Sequence, residues 1–243
     1  MLGRRTAELH RALAKPTGDA AFEPEPVTVA DVEEWHRNVR DEAFATLDLL
    51  DQRRQGLSEH LKPDVDRLLA SRDALLALID AAIPPRVGAT KTRYHGDYHL
   101  GQVLLTTDDF VIVDFEGEPA RALPERRAKH SPLRDVAGML RSFSYAAAVA
   151  LDRATIERPD DRARLLAPLA DWRTQTMAAF YRAYVATMRG TSSWPDDDRT
   201  ATQLVRLFGI EKVLYELRYE LANRPDWVRI PLAGLLERLV TGA

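Results

Sequence analysis

The amino-acid sequence predicts a mainly α protein, formally α+β, with one small β-hairpin at its centre. Three observations predict it. Apolar residues recur at helical spacing through both ends of the chain, two short β-rich runs lie between residues 103 and 113, and Pro or Gly punctuates the segments between them. At 243 residues, 45% hydrophobic and 29% charged, the chain is long enough to bury a core without staples. It has no cysteine, which excludes disulfides, thiolate metal sites and thiol nucleophiles. The longest apolar stretch, Tyr145 to Leu151, is far below the roughly 18 residues of a membrane span. The N-terminus turns polar where a signal peptide would turn apolar. A net charge of −3 gives no electrostatic case for nucleic acid. The expectation is a cytoplasmic protein with neither membrane nor nucleic acid as partner.

Leu2, Thr6, Leu9 and Leu13 share one helical face, and Pro16 with Gly18 ends that run. No capping residue precedes Leu2, so the expectation is a chain that begins inside a helix, as a truncated piece would. A Pro-rich linker, residues 15–26, follows. Thr28 is placed to cap a long helix to about Gly56, with Val32, Trp35, Val39, Phe44, Leu47 and Leu50 as its apolar side. A further helix starts at Pro63, runs through Leu68, Leu75 and Ile79, and stops at Pro84-Pro85. Val103-Leu104-Leu105 and Phe110-Val111-Ile112-Val113, joined by Thr106-Thr107-Asp108-Asp109, read as a buried hairpin. Residues 116–129 read as an irregular loop. Ser131-Pro132 then opens a helix to about Leu151, and helices near 160–189, 197–222 and 230–241 complete the chain.

Chemistry gathers at the ends of the hairpin. His95-Gly96-Asp97-Tyr98-His99-Leu100-Gly101-Gln102 precedes it, and Asp114-Phe115-Glu116-Gly117 follows. Asp97 and Asp114 are 17 residues apart with a tight turn between the strands, so their carboxylates can converge. Two carboxylates and an amide suit magnesium and phosphate, because hard cations take oxygen ligands. For either acid the alternative is an ordinary turn or strand-end carboxylate. A metal hydrolase on His95, Asp97 and His99 with Asp114 lacks further paired histidines to complete its site.

His-x-Asp, an amide five residues on, and a strand ending in Asp-Phe resemble the core of protein-kinase-like phosphotransferases. Residues 95–102 resemble the aminoglycoside-phosphotransferase-like group. Within it, Asp114 to Arg121 and Ser131 to Phe143 resemble the maltokinases. The resemblance implies a kinase-like C-terminal lobe that transfers the γ-phosphate of ATP, with Mg2+, to the anomeric hydroxyl of maltose. It implies that Asp97 handles the proton of the sugar hydroxyl and that Gln102 and Asp114 hold the metal. Glu116 adds an outer carboxylate. His95 and His99 are scaffold or packing residues, and Asp135 braces the loop. An association with a trehalose- or maltose-converting enzyme would fit.

Further on, Lys212, Tyr215, Glu216 and Tyr219 share one helix face. Spacing alone leaves open an ordinary solvated face with a Lys212–Glu216 pair. The resemblance implies that Lys212 and Tyr219 grip the sugar, with Glu216 as a further candidate. Residues 1–90 form a helical segment and 91–243 the catalytic lobe; no glycine-rich β-lobe with a nucleotide-binding lysine occurs in 1–94. Two alternatives follow: another sugar or aminosugar kinase of the same fold, or a sugar-binding module that is catalytically incomplete.

Overall fold

The computed structural model describes residues 1–119 and 121–242; Ala120, within the stretch compared with maltokinases, lies outside the described residues. The described chain is mainly helical, with two small antiparallel sheets. It forms two compact units, each drawn from two stretches: Met1–Val27 with Gly88–Asp196, and Thr28–Val87 with Asp197–Ala243. No helix among the described residues is long and apolar enough to cross a membrane.

The first unit is built on α1 (Leu2–Leu13), α6 (Leu133–Thr155) and α7 (Arg162–Met188). Their shared core holds Ala7, Leu133, Val136, Met139, Phe143, Phe180, Tyr184 and Met188. The helical period of α1 is as predicted, but of the four residues expected to share a face only Thr6 is buried. Gly3, Thr6, Ala7 and His10 face inward, while Leu2, Leu9 and Leu13 are only half-buried. Close approach decides this: a Cβ on Gly3 would lie 2.1 Å from the Phe180 carbonyl oxygen, so α1 presents its small and polar side to α7. The sequence left residues 15–26 as linker. There Glu25–Pro26 (β1) pairs antiparallel with Thr90–Lys91 (β2), a sheet too short to show any alternation.

Val103–Leu105 (β3) and Phe110–Ile112 (β4) form the expected hairpin, with Leu104 opposite Val111 and residues 106–109 as its turn. The hairpin is not buried. Leu105 is 78% exposed, Leu104 54% and Val111 46%. Two strands have no second layer of their own, so their apolar content follows β propensity rather than burial. Inside the segment expected to be irregular, Leu123–Arg127 makes a five-residue helix, α5, with Pro124 in its first turn. Helix α6 begins at Leu133 with Pro132 as its cap residue, not at a Ser131 cap, and it runs past Leu151 to Thr155.

The second unit packs α2 (Val29–Arg53) against α8 (Asp198–Asn223). α4 (Arg72–Ala81) also meets α2, and α9 (Arg229–Thr241) packs on α3 (Lys62–Ala70) and α8. Thr28 caps α2 in a capping box: its side chain accepts from Asp31 N (3.1 Å), and the Asp31 carboxylate accepts from Thr28 N (2.8 Å). The single helix expected after Pro63 is split at Ser71, whose hydroxyl donates to the Arg67 carbonyl (2.8 Å) and turns the chain into α4. Asp197 caps α8 through Thr200 N (2.8 Å). Trp35 meets Phe208 edge-on at 5.5 Å inside this core.

Candidate active site

Residues 95–102 form a loop and a single 3-10 turn leading into β3. Gly96 has φ +87°, open to glycine at no steric cost. The His99 ring accepts the Gly101 N–H at Nδ1 (3.0 Å) and so caps the turn Leu100–Gln102. Asp135, 2% exposed near the start of α6, takes three N–H donors. Its Oδ2 accepts from His95 N (2.8 Å) and His10 Nε2 (3.0 Å), and its Oδ1 accepts from Gly96 N (3.0 Å). The loop that carries Asp97 is therefore held by its backbone.

The strand end is tied to the same loop. The His95 Nε2–H donates to the Val113 carbonyl (2.9 Å), so Nδ1 is an acceptor, 3.4 Å from the Asp97 amide nitrogen. Val113 N–H donates to the Gln102 carbonyl (3.0 Å), and Gln102 Nε2 donates to Asp114 Oδ2 (2.7 Å). Asp114 is the single described non-glycine residue with positive φ, +66°. Such a backbone costs on the order of 1–3 kcal/mol and persists where its surroundings fix it. Three residues on, Gly117 (φ +77°) lies so close that a Cβ on Gly96 would sit 3.1 Å from its Cα. His95 stands between the rings of Tyr98 (5.2 Å) and Phe115 (5.1 Å).

Asp97 has a side chain 17% exposed, with Oδ2 3.8 Å from His99 Nε2. Asp114 and Glu116 are exposed. Asp97, Gln102 and Asp114 thus fall on two loops joined by hydrogen bonds at His95–Val113, Gln102–Val113 and Gln102–Asp114. The donor set fits magnesium. A rotated Gln102 amide presents oxygen beside the Asp114 carboxylate, and Mg2+ takes one or two carboxylates and completes its shell with water and phosphate oxygens. Among the described residues no three His, Cys, Asp or Glu side chains gather around a metal position. His95 is buried with Nε2 committed to a carbonyl, so it belongs to the scaffold.

Lys212, Glu216 and Tyr219 lie on α8, in the second unit. The Lys212 ammonium sits 4.8 Å over the Tyr215 ring, and the Tyr215 and Tyr219 rings are near-parallel, 25° apart at 6.3 Å. Glu216 is buried, so this face is not a simple solvated one. Tyr219 is 45% exposed; Arg224 lies over it at 5.4 Å and over Trp227 at 4.7 Å, and chelates Glu220 at 2.7 and 2.9 Å.

Four residues near the site carry no local sequence mark. Arg5 grips Asp109, in the hairpin turn, through both carboxylate oxygens, and this bond holds the Asp109 carboxyl down at about 2. Thr6 Oγ1 and Tyr98 Oη are 2.8 Å apart, and burial pushes the Tyr98 phenol up to about 12. His10 joins Asp135 to Tyr184, whose Oη is 2.8 Å from His10 Nδ1. All reach across the chain, from residue separations of 92 to 174.

A braced His-x-Asp loop beside an Asp-Phe strand end, on a helical unit with a small hairpin, defines the kinase-like phosphotransferase class. Residues 1–168 match the APH phosphotransferase enzyme family, and the chain belongs to that family. Glucosamine kinases of Streptacidiphilus jiangxiensis and Mycolicibacterium smegmatis are each 30% identical to it, over 98% and 96% of this chain and 48% and 51% of theirs. A crystal structure of glucosamine kinase superposes with TM-score 0.77 at 27% identity, over 98% of this chain and 51% of that one. Another, in complex with glucosamine, ADP and inorganic phosphate, gives 0.74 at 28% identity, over 97% and 50%. The chain spans about half the length of the curated relatives it matches. The maltokinase expectation is corrected to this extent: the family and the sugar-kinase likeness stand, while these relatives are glucosamine kinases and give no support to maltose.

Proposed function

We propose that the chain is the phosphoacceptor half of an aminosugar kinase, with glucosamine as acceptor and ATP with Mg2+ as donor. The observation that carries this reading is the pair of tied loops: Asp97 on a backbone-braced turn, and Asp114, hydrogen-bonded to Gln102, on the strand end that His95 ties to that turn. In this reading residues 91–243 act as the catalytic lobe and 1–90 as the helical segment before it. Asp97 accepts the proton of the attacking sugar hydroxyl as the oxygen–phosphorus bond forms. Gln102 and Asp114 hold the magnesium, which supplies positive charge to the phosphate oxygens when bound. Glu116 stands outside them. Catalysis then consists mainly of placing the hydroxyl and the phosphoryl group in line.

The α8 face of Lys212, Tyr215, Glu216 and Tyr219 is the proposed sugar contact. Aromatic rings cover the C–H faces of a pyranose, while charged groups take its hydroxyls. A carboxylate such as Glu216 also suits the ammonium of an aminosugar. Stacked tyrosines would serve a disaccharide as well, so maltose is the competing acceptor.

The test is phosphoryl transfer by this chain joined to a nucleotide-binding half, with labelled ATP and glucosamine, maltose, glucose and an aminoglycoside in parallel. Glucosamine should be the preferred acceptor, and Asp97→Asn should lower turnover at least about a hundredfold. Preference for maltose would overturn the acceptor assignment, and full turnover in Asp97→Asn would remove Asp97 from the mechanism.

A further inference from the structure

A continuous row of cations and rings runs along α8 and past its end, all within the second unit. Lys212 lies over Tyr215, Tyr215 is near-parallel to Tyr219 one turn on, and Arg224 lies over both Tyr219 (5.4 Å) and Trp227 (4.7 Å). Arg224 is the junction of that row. It ends α8, where its N–H donates to the Glu220 carbonyl (2.8 Å). Its own carbonyl accepts from Trp227 N (2.8 Å), which closes the 3-10 turn Pro225–Trp227. Its guanidinium donates from Nε to Glu220 Oε2 (2.9 Å) and from Nη2 to Oε1 (2.7 Å). An exposed i, i+4 ion pair contributes little, and two features set this one apart. The Glu220 side chain is 2% exposed and that of Arg224 46%, so the acid is fixed in the core and the cation projects from it. Paired bonds to one carboxylate also fix the plane of the guanidinium, which a single bond would leave free to turn.

We propose that Arg224 is a positioning residue for the sugar contact on α8: clamped on Glu220, it fixes the ring of Tyr219 and ties the Trp227 turn to the helix end. Tyr219 is 45% exposed, and little of the core holds its ring. Tyr215 stands four residues before it and Arg224 five after it, so the ring is bracketed along the helix axis. An aromatic side chain ordered before its ligand arrives lowers the cost of binding. Such an interaction is the same in the ground state and the transition state, so its loss falls on KM and leaves kcat. The effect on sugar affinity rests on the proposed role of Tyr219; the hold on the two rings does not.

The experiment has two arms. In this chain, NMR should show the Arg224 Nε–H as a slowly exchanging signal, with cross-relaxation from the Arg224 side chain to the rings of both Tyr219 and Trp227. Arg224→Lys keeps the charge but cannot make the paired bonds, and it should move the Tyr219 ring resonances toward those of a free tyrosine. With the chain joined to a nucleotide-binding half, Arg224→Lys should raise KM for glucosamine about 3- to 10-fold and leave kcat within about twofold. A buried Glu220 without its full partner can unfold the chain, so the double variant Glu220→Gln/Arg224→Met removes both charges and keeps the packing volume. Its urea midpoint should return close to that of the wild type, while the Tyr219 resonances stay displaced and KM stays raised. Recovery of KM together with the midpoint overturns the proposal and leaves an ion pair that only stabilises. So does wild-type protein without cross-relaxation from Arg224 to either ring. Displaced Tyr219 resonances with KM unchanged for every sugar would refute Tyr219 as a sugar contact and leave the hold of Arg224 on its ring standing.

Discussion

Two buried helical glycines should respond to alanine with opposite signs. On helix propensity alone, Gly→Ala inside a helix stabilises by about 0.8–1 kcal/mol. At Gly138, in α6, the new Cβ would lie 2.8 Å from the Tyr98 carbonyl oxygen. Carbon and oxygen normally approach to about 3.3 Å, so the gap falls short by about 0.5 Å. The obstacle is backbone, in the turn that also carries Asp97, and it cannot rotate aside. Overpacking of this kind costs about 1–3 kcal/mol, so Gly138→Ala should be destabilising by about 1 kcal/mol net. At Gly209, in α8, the Cβ would also meet an atom at 2.8 Å, but that atom is Nη2 of Arg238, the far end of a flexible side chain. Arg238 can swing away, propensity wins, and Gly209→Ala should stabilise by about 0.5–1 kcal/mol. Because the two glycines sit in different units, each is best read by hydrogen exchange of its own helix. Exchange should quicken in α6 for the first and slow in α8 for the second. If Gly138→Ala slows α6 exchange as much as Gly209→Ala slows α8, the close approach of α6 to the loop is wrong.

The Arg5 bond that depresses Asp109 to about 2 makes its contribution above pH 4 and loses it as pH falls through 2. Arg5→Met should return the Asp109 carboxyl toward its ordinary value, read by NMR titration of that carboxyl. Tyr98, raised to about 12 by burial, favours the folded state fully below pH 10 and loses that contribution as pH rises toward 12. Tyrosinate absorbance should show it silent through pH 11 in the folded protein, and Thr6→Val should push it higher still, since the Thr6 bond lowers it. Asp135→Asn can orient its amide to satisfy at most two of the three N–H donors, so stability should fall by about 1–3 kcal/mol. Asp135→Ala should cost more, and equal urea midpoints for wild type and both variants would contradict the brace.

What could be read from the sequence was what is local. The Thr28 cap, the four-residue turn of the hairpin and the starts and ends of α8 and α9 all depend on residues a few positions apart, and they formed within a residue or two of expectation. The stop at Ser71 was missed because a serine hydroxyl bonding back to the Arg67 carbonyl competes with helix continuation without changing the apolar period. Burial of the hairpin was overestimated because β-branched and aromatic residues mark strands whether or not a second layer covers them. The contact of Gln102 with Asp114 was legible because the hairpin turn between them is short.

Their supports were not legible, and α1 shows why. Periodicity says that Leu2 to Leu13 is a helix, and it is; the apolar pattern picks out the face of Leu2, Thr6, Leu9 and Leu13, because hydrophobicity is the only criterion it has. The face actually chosen is Gly3, Thr6, Ala7 and His10. Glycine permits backbone contact with α7, and the two polar residues have partners 92 and 125 positions away. A buried polar group is tolerable only when such partners exist, so the same His10 that looks misplaced in the helix pattern is accounted for by Asp135 and Tyr184 together. Where a helical pattern puts a histidine on the small-residue face rather than among the leucines, the useful question is which distant carboxylate needs its proton. Here that carboxylate is the one holding the loop of Asp97.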